Sequence, residues 1–67
     1  MSFKAKITKK TTLHVMNEKN KEVEQIDLEK GEEIIVIDYD NPPMARIKVI
    51  QSGKKGDIYA DNFEPKE

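Results

Sequence analysis

A chain of 67 residues is one small domain with no room for a second core. It is 36% hydrophobic and 37% charged, but the apolar residues are clustered, which favours a compact domain over a disordered chain. A formal net charge of −1 is unlike the basic balance of most duplex-DNA binders, and the absence of cysteine excludes disulfide staples and zinc–thiolate sites.

The opening "MSFKAKITKK" is basic but alternating, and no apolar run follows it. It therefore reads as neither a signal peptide nor a membrane span, and with the lack of cysteine it points to a cytoplasmic protein. "FKAKITKK" puts Phe3, Ala5 and Ile7 on one side and Lys4, Lys6 and Thr8 on the other, the period of a half-buried strand. Leu13 and Val15 keep that spacing and continue or follow it.

From Asn17 to Glu33 there are seven acidic and three basic residues, a local charge of −4. On a helix, Val23 and Ile26 would share their face with Asp27 and Lys30, so no adequate apolar stripe forms. The alternation of Val23, Gln25 and Asp27 against Glu24, Ile26 and Leu28 is equally weak. We read this segment as a long, polar, hairpin-like loop. Glu29–Lys30–Gly31–Glu32 then reads as a turn, with glycine where a positive φ is often needed. Ile34 to Ile37 is a β-branched run suited to a central strand, and Asn41–Pro42–Pro43 ends it.

"MARIKVIQ" alternates, with Ala45, Ile47 and Val49 on one face and Met44, Arg46 and Lys48 on the other. Ser52 to Gly56 reads as a hairpin connection with two glycines. "DIYA" is a short strand and "DNFEP" one turn of 3₁₀ helix. Phe3, Ile58 and Phe63 are expected in the core. The element order predicts an all-β domain of five short strands closed into a small barrel.

These pieces resemble an SH3-like barrel, most closely the bacterial SH3 domains. "LEKGEEIIVID" is similar to the diverging turn and the strand after it, "ARIKV" to the next strand. "SGKKGDIYADNF" is similar to the distal hairpin, last strand and 3₁₀ turn. The resemblance covers the half from Leu28 to Pro65, and the first 27 residues match in outline, as a strand followed by an acidic loop. The resemblance implies a ligand face at Tyr39, Pro42, Pro43, Met44, Tyr59 and Asn62. Several groove aromatics of the peptide-binding members are missing from it. Met44 or Ala45 stands at the tryptophan position, Tyr59 at the proline and Asn62 at the tyrosine. The "ALYDY"-like motif near the start is absent, with "TLHVMN" the nearest stretch. A polyproline helix needs flat aromatic walls, so ordinary PxxP peptides are not the expected ligand.

Catalysis has little to stand on: one histidine, His14, no cysteine and no glycine-rich phosphate loop. Asp38, Asp40 and Asn41 read as solvated strand-end groups, not a metal site. No cofactor or metal is expected. Glu22, Glu24 and Asp27 lie where the resemblance places a loop that selects a basic ligand segment. Lys4, Lys6, Arg46, Lys48, Lys54 and Lys55 read first as lysine protection of edge strands, and second as a face for nucleic acid. The expected role is a non-enzymatic adaptor or inhibitor, of bacterial, phage or mobile-element origin, whose partner is another protein. Nucleic acid is the second candidate partner, and a cell-wall-binding domain cut from a longer chain is the third reading. No membrane association is expected, and the protein is a monomer or a homodimer.

Overall fold

A computed structural model describes residues 2–39 and 43–66. Seven strands, β1 (Phe3–Ile7), β2 (Thr11–Met16), β3 (Glu22–Leu28), β4 (Glu33–Asp38), β5 (Met44–Val49), β6 (Lys55–Tyr59) and β7 (Phe63–Pro65), form one antiparallel sheet. A 3₁₀ turn, Ala60–Asn62, joins β6 to β7. The all-β expectation holds, but the strands number seven, not five.

One of the two additional strands, β3, comes from the acidic segment, which is the turn and second strand of a true hairpin with β2. Asn17 makes its turn: its Oδ1 accepts from the backbone N–H of Lys19 at 2.9 Å and of Lys21 at 3.0 Å. Asn20 takes the left-handed conformation, φ +60°, that asparagine tolerates better than most residues. The other is β7, whose residues Phe63–Pro65 were expected within the 3₁₀ turn and instead pair with β1 through Ala5–Pro65, Lys6–Glu64 and Ile7–Phe63. Pro65 is tolerated there because β7 is an outermost strand, where a missing N–H costs the ladder nothing.

The hydrogen-bonded order is β3-β2-β6-β5-β4-β1-β7, so β3 and β7 are edges and the sheet is not closed into a barrel. It nevertheless folds over itself. The shortest extent is 20 Å, about twice the ~10 Å that one flat layer occupies. Between the two halves lie Ala5, Ile7, Leu13, Leu28, Ile34, Val36, Ala45, Ile47, Val49 and Ile58, all buried. Phe63 packs partly buried against them, as expected. Phe3 does not join the core: it is 37% exposed, because it lies beyond the last β1–β7 pair, Ala5–Pro65.

Both expected turns are present, with one boundary moved. Gly31 has φ +96°, and its N–H donates to the Ile7 carbonyl at 2.8 Å, tying the β3–β4 turn to β1. In the β5–β6 connection Gly53 has φ +74° and donates to the Val49 carbonyl at 2.8 Å. Gly56 belongs to β6, not to the turn, and is buried where β2 crosses. A Cβ there would stand 2.2 Å from the His14 carbonyl oxygen, so the crossing requires glycine.

Candidate functional site

Strands β5 and β6 turn Ala45, Ile47, Gly56 and Ile58 inward, so their alternate residues face out. The outward residues form three successive cross-strand pairs: Met44–Tyr59, Arg46–Asp57 and Lys48–Lys55. The ladder thus runs from an apolar step, through an ion pair, to a double cation.

The apolar step lies beside the 3₁₀ turn. Tyr59 is 52% exposed and its partner Met44 is half-buried. The exposed Pro43 accepts a hydrogen bond from the Ala60 N–H at 2.8 Å, fastening the β4–β5 connection to the turn. Tyr39, 46% exposed, meets Phe63 just after the turn. Four residues of the expected contact face therefore gather at the 3₁₀ turn. Pro42 lies outside the described residues, as do Asp40 and Asn41.

Asn62 does not belong to this face. It is only 8% exposed, and its Nδ2 donates to the Thr11 hydroxyl at 2.7 Å, while its carbonyl accepts from the Thr8 N–H at 2.9 Å. Its side chain ties the turn to the first residue of β2, and its main-chain carbonyl ties it to the β1–β2 connection. The expectation that Asn62 contacts a ligand is corrected on that ground.

Next to Met44 opens a groove of about 250 Å³, lined by Asn20, Asp38, Met44, Ala45, Arg46 and Asp57. It brings the β2–β3 turn close to the start of β5. Arg46 Nε donates to Asp57 Oδ1 at 2.7 Å along its wall. Asn20, Asp38 and Asp57 escape a reading of the sequence by charge. The alternation of Asp57 with Gly56 and Ile58 is the one local signal that it faces outward.

The three acidic candidates lie on β3 rather than in a loop, and each is engaged within the molecule. Glu22 Oε1 is 2.6 Å from His14 Nδ1, and its Oε2 accepts from the Gln25 amide at 2.9 Å. The Gln25 hydrogen bond, then that of His14, holds the Glu22 carboxyl below its usual value. Glu24 accepts from Lys54 at 2.7 Å, and Asp27 lies 3.9 Å from Lys10 and accepts from Thr12 at 3.4 Å.

The six basic candidates divide. Arg46 is bound to Asp57 and Lys54 to Glu24. Lys6 is flanked in register by Glu33 and Glu64. Lys4, Lys48 and Lys55 instead share one line across the sheet, since Lys4 pairs with Ile35, Ile35 with Lys48, and Lys48 with Lys55. Protection of edge strands does not account for them, because β1, β5 and β6 each have a neighbour on both sides.

Among the described residues no group of three or more His, Asp or Glu side chains is placed to hold a metal ion. No helix among them is long and apolar enough to cross a membrane. The chain matches no family model, no curated protein and no solved structure.

Proposed function

We infer that the chain is a non-enzymatic protein-interaction module, an adaptor or inhibitor, that takes a segment of another protein on the face of Tyr39, Pro43, Met44 and Tyr59. The observation that carries this reading is the Met44–Tyr59 pair, an exposed aromatic on a half-buried methionine beside an open groove. Tyrosine and methionine give large, adaptable contact area, and such residues anchor interfaces.

An SH3-like architecture is the fold reading that goes with it. In its support, a hairpin (β2–β3) separates the first strand from the β4–β5–β6 meander, a 3₁₀ turn follows β6, and β7 returns to β1. The aromatic walls for a polyproline helix are not at the corresponding positions, and Asn62 is buried. The face suits instead an apolar side chain on the Met44–Tyr59 step and a polar one in the groove, where Arg46 and Asp57 offer both charges.

The test compares proteins retained by the wild-type chain and by a Tyr39→Ala/Met44→Ala/Tyr59→Ala variant of verified fold. A partner kept by the wild type and lost by the variant supports the reading. Identical retention by the two overturns it.

A further inference from the structure

The Lys48–Lys55 step has no evident structural purpose. Like charges directly opposite on neighbouring strands destabilise a sheet unless something compensates them. The nearest outward carboxylates, diagonal to this step, are already committed: Glu33 to Lys66 and Asp57 to Arg46. Among the described residues Lys48 and Lys55 form no ion pair, and Lys4, on the same line beyond Ile35, forms none either. Three strand steps of ~4.8 Å make this line about 14 Å long.

We propose that Lys4, Lys48 and Lys55 bind the phosphate backbone of a single-stranded nucleic acid, at a site separate from the Tyr39–Met44–Tyr59 face. Lysine ammonium groups are compact point charges on flexible stems, which suits phosphates without demanding one fixed geometry. No aromatic side chain stands on the line, so the contact is electrostatic and indifferent to base sequence. The carboxylates that bound the strip decide between single strand and duplex. In the row on one side Glu33 and Glu64 flank Lys6, and Glu33 is also bound to Lys66, so that row offers a phosphate no surplus of positive charge; on the other side Glu22 lies one strand beyond Met16. A flexible strand follows a strip of this width, whereas a rigid duplex sets further phosphates over rows whose cations are already matched by carboxylates. None of the large exposed apolar side chains, Phe3, Val23, Tyr39, Ile50 and Tyr59, stands on the line, which offers nothing to insert into a lipid surface.

The test is fluorescence anisotropy with labelled 20-mers of two unrelated sequences, as single strands and as duplexes, over roughly 20 to 200 mM salt. Three phosphate contacts predict a slope of log affinity on log salt of about −2.1 for either single strand. Lys4→Gln, Lys48→Gln and Lys55→Gln each reduce that slope by about 0.7, and Lys19→Gln on the β2–β3 turn leaves it unchanged. Tyr59→Ala also leaves it unchanged, which separates this proposal from the protein-binding face. None of these side chains is in the core, and circular dichroism verifies that each variant is folded. Absence of binding at the lowest salt, slopes insensitive to the three lysine variants, or tighter binding of the duplex overturns the proposal.

Discussion

The ring of Tyr39 meets that of Phe63 edge to face, centroids 5.8 Å apart and planes inclined at 64°. Along the ladder these residues are far apart. Phe63 pairs with Ile7, next to the Lys6–Glu33 pair, whereas Tyr39 follows the other end of β4. On a flat sheet the separation would be roughly 20 Å. Their contact therefore records how sharply the sheet folds over, and it fastens the open end of the β4–β5 connection to the strand after the 3₁₀ turn. An edge-to-face pair contributes about 0.5–1.5 kcal/mol beyond its buried area. Tyr39→Ala should lower unfolding stability by about 1 kcal/mol, and Tyr39→Phe, which keeps the ring, should leave it nearly unchanged. Denaturant titration of the three proteins decides it. Equal stability of the alanine variant and the wild type would show that the ring pair does not hold the fold.

Gly56 tests the crossing of β2 over β6. The atoms nearest a Cβ at this position are backbone atoms of His14 and Val15, at 2.2, 2.8 and 2.9 Å, and no side-chain rotation can relieve them. Gly56→Ala should cost about 3 kcal/mol or more, at the upper end of overpacking penalties. Gly53→Ala has open space around it and is opposed only by its φ of +74°, so it should cost about 1 kcal/mol. Reversing that order would contradict the close approach of the two strands.

The buried pair Asn62 and Thr11 calls for a double-mutant cycle. Asn62→Ala strands the Thr11 hydroxyl in the interior and should cost about 1–3 kcal/mol. Thr11→Val removes the partner of Nδ2 on a residue whose Oδ1 already lacks one among the described residues. The combination Thr11→Val/Asn62→Ala removes both polar groups together and should cost about 1 kcal/mol less than the sum of the singles. Simple additivity would mean that the 2.7 Å hydrogen bond does not couple the turn to β2.

Much of the inward face was legible in the sequence because period-two alternation is strong wherever one side of a strand is dry. Ala45, Ile47 and Val49 against Met44, Arg46 and Lys48 is the clearest case. The acidic hairpin was hidden for the opposite reason. Strand β3 buries only Leu28 fully, with Ile26 half-buried, and a bulge opposite Val15–Met16 shifts the register at its start, between Glu22 and Glu24. Asn62 misled because its position in the chain suggested a groove, and only the fold brings Thr11, from the far end of the sequence, to its amide. Lys4, Lys48 and Lys55 were among the six basic candidates read from the chain, but their lateral line was not legible there, since it exists only once register sets three separate strands side by side.

Acid sensitivity follows from two glutamates. Glu33 is held below the usual value of 4.5 by its hydrogen bond to Lys66, then by the charge of Lys66. Glu22 is held below it by Gln25 first and His14 second. A carboxyl whose pKa is lower folded than unfolded stabilises the fold fully above the unfolded value, and loses that contribution as pH falls through the folded one. The denaturation midpoint should therefore drop on acidification from about pH 5 to pH 3. A Glu22→Gln/Glu33→Gln variant should show a shallower drop over that window. Both side chains are exposed, so added salt should shrink the difference. Parallel curves for variant and wild type would remove these two groups from the account.

Lys55→Glu sets stability against binding. It converts the Lys48–Lys55 step into a pair of opposite charges, and cross-strand pairs of this kind contribute roughly 0.2–1 kcal/mol. It leaves the inward Gly56 and Ile58 untouched, so the core gives no reason for a loss. The unfolding midpoint should therefore rise, by about 0.5 kcal/mol in free energy, and more at low salt than at high salt. The same change reverses one of three charges on the line and should abolish retention of a single strand at low salt. A sheet that gains stability when a residue is replaced, and loses a ligand by the same replacement, carries that residue for the ligand. If stability falls instead, then Lys55 is held in place by packing along its stem, and the uncompensated pair is no longer a reason to look for an anion.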